Sequence, residues 1–300
     1  MVGYLFAGQG SQYVGMGKDL YDSFSQAKEI FEKANKVLGF SISDLCFNGP
    51  LDELTKTNNC QPAIVTMSIA CWQAYKTKQP RIDGYMAGLS LGEYSALVAA
   101  GALNFEDAVH LVRRRGQFME EEAVKHPGKM LSVFGLDLAQ VRDVCAAVEA
   151  EVANINCPGQ IVVSGSPEAI ERAQILAKEK GAKLAVILEV SGAFHSSLMR
   201  DASIKLTQEL EGIKINTPKF PVISNVTGKP VLDREEIKRN LIRQISASVL
   251  WEDSMRLILS KGVTSFIEFG PGKVLKGLMR RIDSNAQVVN IEKKADIESS

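Results

Sequence analysis

The sequence lacks the features that mark several large classes of protein. Only five of its 300 residues are cysteines and no Cys-x-x-Cys pair occurs, so neither a disulfide framework nor a metal site is expected. Its 35 basic and 35 acidic residues cancel, so no overall field would attract nucleic acid or a membrane surface. No apolar run approaches the roughly 18 residues of a membrane span, and no secretion signal is evident. These absences predict a cytoplasmic globular protein that binds no metal, nucleic acid or membrane.

What is present is the pattern of an α/β protein. Short apolar strands alternate with helices, and the stretch from 127 to 189 has the order β-α-β-β-α-β of a ferredoxin-like unit, with Ser166 capping its second helix. After this unit, strands and helices alternate again as they do before residue 127, with strands expected at residues 222–225 and 265–269. We therefore predict a large subdomain formed by residues 1-126 and 190-300, into which a small ferredoxin-like subdomain, residues 127-189, is inserted.

A proline marks the predicted start of one long helix. Gln61-Pro62 precedes an apolar stretch that runs to about Lys78. Proline suits the first turn of a helix because its missing N–H would have no partner there in any case. The helix is therefore predicted to begin at this pair.

A Gly-x-Ser-x-Gly stretch is the strongest chemical signal. Gly88-Leu89-Ser90-Leu91-Gly92 joins an apolar strand to an alanine-rich helix, which is the setting of a nucleophile elbow. Such a turn exposes the serine hydroxyl and leaves the N–H of the next residue, Leu91, free to bind an oxyanion. A glycine-flanked serine is also a common turn residue or helix cap, so the pattern alone does not decide.

A glycine-rich loop follows the first strand. Gly8-Gln9-Gly10 does not continue into a dinucleotide fingerprint, because Tyr13 stands where the third glycine belongs, and no Gly-Lys-Ser/Thr follows. A tight loop at the edge of a sheet can instead supply a second oxyanion donor. The backbone N–H of Gln9 is the candidate.

One arginine falls on the apolar side of a predicted helix. Arg115 lies two turns beyond Ala108, in the middle of the apolar stripe, whereas Arg113 and Arg114 point away and are predicted to be solvated. A buried guanidinium needs an anion, which is either an internal carboxylate or the carboxylate of a ligand. Spacing alone favours the internal ion pair.

The chain has only three histidines. His110 and His126 are predicted to lie on the surface, whereas His195 follows a glycine-rich turn where the chain returns from the small subdomain. This junction can face a cleft between the two bodies, so His195 is the candidate general base. The alternative is an ordinary residue at a helix start.

Together these and other stretches form an ordered series of motifs. They are Gly8-Gln9-Gly10-Ser11-Gln12, Gln61-Pro62-Ala63, Gly88-Leu89-Ser90-Leu91-Gly92-Glu93-Tyr94, Arg115-Gly116, Asn156-Cys157-Pro158-Gly159-Gln160, Ala193-Phe194-His195-Ser196 and Phe269-Gly270-Pro271-Gly272-Lys273-Val274-Leu275. Over nearly its whole length the chain resembles the malonyl-CoA:acyl carrier protein transacylases of fatty acid and polyketide synthesis. The resemblance implies an α/β-hydrolase-like large subdomain with a ferredoxin-like small one.

The resemblance also implies roles for the candidate residues. Ser90 would be the acylated nucleophile and His195 its base, while the backbone N–H groups of Gln9 and Leu91 would bind the oxyanion. An acyl-serine intermediate follows from these roles.

Three further residues acquire roles from the same resemblance. Arg115 would bind the free carboxylate of the malonyl group, and Gln244 would steady the histidine, chiefly through its backbone carbonyl, in place of a triad acid. Phe194 is typical of malonyl-selective members. The departures from the family pattern, at Ala7, Leu89 and Ser248, remove no group with a chemical role.

The substrates and partners implied are malonyl-CoA and an acidic acyl carrier protein that brings its own phosphopantetheine, with no bound cofactor. An acidic partner requires a basic surface, and Lys273, Lys276 and Arg280 share roughly one helical face after the Gly-Pro-Gly turn. These residues are the candidate docking patch. Otherwise they are simply a solvated face.

Other functions remain open at this stage. An acyl hydrolase that clears carrier proteins would use the same scaffold, but a carboxylate receptor at Arg115 disfavours it. A carrier-protein docking module without turnover would not need an intact serine and histidine. An ordinary esterase is disfavoured because its triad acid normally falls between the serine and the histidine, where the small subdomain stands instead.

Overall fold

The computed structural model describes residues 1–300, which form eleven strands and fourteen α-helices. The strands are β1 (Val2–Phe6), β2 (Gly84–Gly88), β3 (Lys129–Phe134), β4 (Glu151–Cys157), β5 (Gln160–Gly165), β6 (Leu184–Leu188), β7 (Val222–Ile223), β8 (Pro230–Val231), β9 (Val249–Leu250), β10 (Ser265–Phe269) and β11 (Gln287–Ile291). The helices are α1 (Lys18–Ser23), α2 (Ser25–Leu38), α3 (Ile42–Asn48), α4 (Leu51–Thr55), α5 (Thr57–Lys76), α6 (Gly92–Ala99), α7 (Phe105–Lys125), α8 (Leu138–Val148), α9 (Pro167–Glu179), α10 (Arg200–Glu211), α11 (Arg234–Gln244), α12 (Trp251–Ser260), α13 (Val274–Ile282) and α14 (Lys294–Glu298). None of these helices combines the length and the apolar character needed to cross a membrane.

The larger sheet brings the two glycine-rich turns together. Its strand order is β11-β10-β1-β2-β7-β8, and all neighbours are parallel except the pair β7 and β8. In the register of β1 and β2, Phe6 lies opposite Gly88, so both strands end at the same edge. The loop after β1 and the turn after β2 therefore meet at the carboxyl edge of the sheet, where α/β proteins place their ligands.

The second sheet has the order β6-β3-β5-β4-β9. The predicted β-α-β-β-α-β order is confirmed, with α8 and α9 between its strands. One face packs against these two helices around Leu131 and Val163, while Met130, Val162 and Leu188 face a cleft. The fifth strand, β9, comes from outside residues 127-189 and pairs parallel with β4, which the sequence did not predict. The subdomain boundaries stay a prediction.

The predicted start of α5 at Gln61-Pro62 is wrong. The helix begins at Thr57 and has Pro62 inside it. A proline has no N–H for the carbonyl four residues earlier, which is that of Asn58. Nη1 of Arg113 donates to this oxygen over 2.7 Å, so the orphaned acceptor is satisfied by α7. The prediction that Arg113 is a solvated residue is therefore also wrong, since it stabilises this helix.

Candidate active site

A strained turn presents the serine. β2 ends at Gly88 and α6 begins at Gly92, and between them Ser90 has a φ of 50°, in the left-handed region that most residues avoid. The turn is compact because the two glycines touch: a Cβ on Gly88 would lie 2.0 Å from the carbonyl carbon of Gly92. The elbow predicted from the sequence is therefore present.

An asparagine that sequence reasoning missed holds this turn. Oδ1 of Asn225 accepts from the backbone N–H of Ser90 at 2.6 Å, and its Nδ2 donates to the carbonyl of Gly88 at 2.8 Å. One amide thus spans the bend on both sides and stabilises the left-handed conformation. The signal available in the sequence was a polar residue just after β7, at the carboxyl edge of the sheet.

Ser90 and His195 form a hydrogen-bonded pair. Oγ of Ser90 lies 2.8 Å from Nε2 of His195, and Nδ1 of His195 lies 2.7 Å from the backbone carbonyl of Gln244. A carbonyl can only accept, so Nδ1 carries the proton and Nε2 has the free lone pair. Ser90 therefore donates to the imidazole. His110 and His126 have side chains that are half exposed, as predicted.

The environment of His195 favours its neutral form. The ring is buried, and burial together with the nearby positive charge of Arg115 lowers the pKa of His195 to about 4. Its backbone is also held in the left-handed region, with a φ of 59°, by a bond from its N–H to the carbonyl of Ile245. At neutral pH the imidazole is thus ready to accept a proton.

Arg115 is buried and contacts Ser90. It is 1% exposed, and its Nη2 donates to Oγ of Ser90 and to Oε1 of Gln244, each over 3.1 Å. Its Nε has no acceptor, and its pKa is lowered by burial. No carboxylate forms an ion pair with it, so the internal ion pair that spacing favoured is absent. The Nε–H of the guanidinium is thus left without an acceptor inside the protein.

A second residue that sequence reasoning missed is a buried carboxylate. Glu93 is 2% exposed, and burial raises its pKa to about 7. Its Oε2 accepts from Nε2 of Gln244 at 2.7 Å and from the N–H of Asn225 at 3.1 Å. Nε2 of Gln244 also donates to the carbonyl of Ser90 at 3.0 Å. The Gln244 side chain thus links Glu93, the elbow and Arg115.

Two backbone donors lie beside the serine. The N–H groups of Gln9 and Leu91 donate to no acceptor within the protein. Their loops are in contact, because a Cβ on Gly8 would lie 2.7 Å from the carbonyl oxygen of Leu89. Two unused donors from different loops thus lie near one hydroxyl, and such a pair of donors can bind an oxyanion.

A cleft of about 930 Å³ opens in front of Ser90, His195 and Gln9. Its walls combine residues of the larger sheet's loops with residues of the second sheet, and Phe194 forms part of the apolar surface next to His195. Other residues that line it are Gln9, Leu89, Ser90, Met119, Met130, Asn154, Asn156, Val162 and Leu188. The volume lies in the upper part of the range that is usual for small-molecule and cofactor sites.

The predicted docking residues lie at the rim of this cleft. Val274 and Leu278 of α13 line the cleft, and Lys273, Lys276 and Arg280 are exposed around them. The surface ion pairs of the chain use other lysines and arginines. Positive charge is therefore accessible beside the cleft.

The family comparison covers almost the whole chain. Residues 3–295 match the acyl transferase domain family. A malonyl CoA-acyl carrier protein transacylase from Bacillus subtilis is 45% identical over 302 residues, which cover 99% of this chain and 95% of the relative. One from Salmonella typhimurium is 42% identical over 283 residues, covering 93% of this chain and 92% of the relative.

Solved structures give the same result. An acyl carrier protein S-malonyltransferase from Vibrio cholerae O1 has a TM-score of 0.97 at 38% identity, covering 99% of each chain. A type II PKS acyl-carrier protein in complex with its malonyl-transacylase provides a second match, with a TM-score of 0.96 at 39% identity, covering 99% of this chain and 98% of the other.

Proposed function

Since this chain belongs to the acyl transferase domain family, we propose that it moves a malonyl group from malonyl-CoA to the phosphopantetheine thiol of an acyl carrier protein, through an ester on Ser90. The observation that carries the proposal is a buried guanidinium without a carboxylate partner, 3.1 Å from the nucleophilic oxygen. Such a group is a receptor for the second carboxylate of a dicarboxylic acyl group. The relatives named above carry this activity in their names.

Acylation begins with proton transfer from Ser90 to Nε2 of His195. Oγ then bonds to the thioester carbonyl carbon, and the N–H groups of Gln9 and Leu91 stabilise the negative oxygen that forms. The C–S bond breaks as the carbonyl re-forms, and His195 returns its proton to the sulfur of the departing CoA. The product is malonyl-Ser90 with a neutral imidazole.

Transfer runs through the same groups in reverse. The carrier protein brings its own phosphopantetheine, whose thiol gives its proton to His195 and attacks the ester carbonyl. The oxyanion again binds at Gln9 and Leu91, and Ser90 leaves with the proton from His195. The backbone carbonyl of Gln244 stabilises the imidazolium that forms in each half reaction.

Selection of the acyl group falls to Arg115 and Phe194. With an acyl group on Ser90, the Nη2 hydrogen that Arg115 now donates to Oγ and its unpaired Nε–H would serve a carboxylate two carbons away, while the other Nη2 hydrogen stays on Gln244. Phe194 is buried at the wall of the cleft and limits the space for a branched acyl group.

The test is a two-step incubation followed by intact-mass measurement. Malonyl-CoA alone should add one malonyl group to the protein, and a carrier protein bearing phosphopantetheine should then remove it and gain the same mass. If the ester were instead lost to water at the same rate with and without the carrier protein, and the carrier protein gained no mass, the result would support the acyl hydrolase. An absence of any adduct would support a docking module.

The pKa of His195 predicts an unusual pH profile for acylation. Because the pKa is depressed to about 4, the base form persists as pH falls below the ordinary value of 6.5. We expect kcat/KM for malonyl-CoA to stay nearly constant from pH 8 to about 5.5 and to fall only below that. The measurement is a stopped-flow pH series, with circular dichroism at each pH to verify that the protein stays folded. An acidic limb centred at or above 6.5 would contradict the expectation.

We also propose that Lys273, Lys276 and Arg280 bind the acidic carrier protein. Their position beside Val274 and Leu278 would guide a partner whose prosthetic group must enter the cleft.

Charge reversal tests this surface. The double variant Lys276→Glu, Arg280→Glu should lower kcat/KM for the carrier protein by about tenfold or more while acylation by malonyl-CoA is unchanged. The matched control is Lys178→Glu, an exposed residue on α9, which packs on the sheet face opposite the cleft. Equal transfer rates in all three proteins would reject the surface.

Two broader proposals accompany the function. The division into residues 1-126 with 190-300 and residues 127-189 is supported by a separate cluster of 13 buried apolar residues beneath the second sheet. A cytoplasmic location is supported by five cysteines that are all free and buried.

A further inference from the structure

Glu93 takes no part in the steps above, yet it contacts two residues that hold the site together. It lies in the first turn of α6, and a single oxygen, Oε2, accepts from Nε2 of Gln244 at 2.7 Å and from the N–H of Asn225 at 3.1 Å. Asn225 holds the elbow, and Gln244 contacts both Arg115 and His195. A buried carboxylate is costly, so its retention at this point needs a reason.

Two acceptors fix which way the amide of Gln244 faces, and Oε2 of Glu93 makes the shorter bond of the two, at 2.7 Å against 3.0 Å for the carbonyl of Ser90. Oε2 of Glu93 accepts here, as the carboxylate and equally as the acid protonated on the other oxygen, so the NH₂ group of Gln244 faces Glu93, where it also reaches the carbonyl of Ser90. Oε1 is then left to face the guanidinium of Arg115 at 3.1 Å. If the amide were flipped, the NH₂ group of Gln244 would face Nη2 of Arg115, and two donors would meet without an acceptor.

The same arrangement keeps Arg115 available. Glu93 influences the guanidinium electrostatically but forms no ion pair with it, because the amide of Gln244 bridges them. A direct ion pair would compete with the carboxylate of a substrate.

We propose that Glu93 is a positioning residue for acyl-group selection: by fixing the amide of Gln244, it holds the guanidinium of Arg115 against Ser90 while leaving it unpaired for the substrate carboxylate. The inference rests on the proposed function, since it concerns how the same site selects a malonyl group.

The measured quantity is the ratio of kcat/KM for malonyl-CoA to that for acetyl-CoA. Because both rates come from one preparation, a loss of folded protein cancels from the ratio. Glu93→Ala removes the acceptor and should lower the ratio by about tenfold or more, mainly through a raised KM for malonyl-CoA. A parallel fall of both rates, with the ratio unchanged, would show a merely structural role and overturn the proposal.

The conservative variant Glu93→Gln keeps both the volume of the side chain and one hydrogen-bond acceptor. Glu93→Gln retains one carbonyl oxygen, which can accept both bonds now made by Oε2, and its NH₂ group would face Ser224, whose hydroxyl can accept a hydrogen bond. We expect it to keep the ratio within about threefold of the starting protein. A ratio as low as that of Glu93→Ala would overturn the proposal.

A double-mutant cycle tests the route through Gln244. Gln244→Leu removes the side-chain amide but keeps the backbone carbonyl that binds His195. If Glu93 acts through this amide, adding Glu93→Ala to Gln244→Leu should leave the ratio unchanged. If Glu93→Ala lowered the ratio in the Gln244→Leu protein by the same factor as in the starting protein, Glu93 would not act through this amide.

A buried carboxylate elsewhere serves as the control. Glu268 is fully buried, has a pKa raised to about 7 by burial, and accepts from the backbone N–H groups of Leu275 and Lys276. Glu268→Gln should leave the ratio unchanged. If the starting protein forms no malonyl ester, the proposed function fails; if it forms one but Glu93→Ala keeps the ratio, only the positioning role fails.

Discussion

An Arg115→Ala protein should lose its preference for malonyl-CoA over acetyl-CoA. Removal of one partner from a desolvated, charge-assisted pair costs about 3–5 kcal/mol, so kcat/KM for malonyl-CoA should fall by about 10²- to 10⁴-fold. The rate with acetyl-CoA should change far less, because that acyl group has no carboxylate to bind. The measurement is acylation of the protein by each thioester under single-turnover conditions.

The neighbouring arginine provides the control for this prediction. Arg114 lies on the same helix but pairs with Glu209 at the surface, so Arg114→Ala should leave both rates unchanged. Arg115→Lys keeps the charge but lacks the planar guanidinium, so its rate with malonyl-CoA should lie between those of Arg115→Ala and Arg114→Ala. Equal losses with both thioesters in Arg115→Ala would mean that the guanidinium serves the nucleophile and not the acyl group.

Replacing Ser90 by alanine should abolish the acyl-enzyme. Oγ of Ser90 receives the hydrogen bond of Arg115 and pairs with His195, so without it no ester can form. Transfer to a carrier protein should fall by about 10⁴-fold or more. Intact mass after exposure to malonyl-CoA, together with the transfer rate, measures both effects.

The matched control for this change lies on the following helix. Ser95 is buried on α6 and its hydroxyl has no partner, so Ser95→Ala removes the same atom without touching the site. It should be acylated like the starting protein. Persistent malonyl ester on the Ser90→Ala protein would place the nucleophile elsewhere.

Much of the fold follows from local signals in the sequence. The order of elements from β3 to β6 was predictable because each signal is short in range, such as the cap at Ser166, whose Oγ accepts from the N–H of Ala169 at 3.1 Å. Strand β9 was not predictable, because two residues have no periodicity and its pairing partner is about a hundred residues away. The start of α5 failed because the acceptor orphaned by Pro62 is satisfied by a residue of another helix.

Site residues were predictable where a single short stretch of sequence contains the pattern that identifies them. The Gly-x-Ser-x-Gly pattern located Ser90 and Leu91, and helical spacing showed that Arg115 is buried. Spacing could not show whether a carboxylate meets that guanidinium, because this depends on which helices pack against α7. The structure brings a glutamine amide there instead.

The bonds that Asn225 and Glu93 form could not be predicted from the sequence. Their bonds connect residues more than 130 positions apart in the chain. Neither residue type indicates such a contact by itself, since asparagine after a strand and glutamate in the first turn of a helix are both ordinary. Only the packing of α11 and β7 against the elbow makes the network visible.

The most direct measurement is a competition between equal concentrations of malonyl-CoA and acetyl-CoA, quenched within one turnover and followed by mass spectrometry of the Ser90 peptide. Ser90 is hydrogen-bonded to His195 and lies beside Arg115, which is buried without a carboxylate partner. This arrangement predicts a malonyl ester on Ser90 in large excess over the acetyl ester. Comparable amounts of the two esters, or an ester on another residue, would contradict the account.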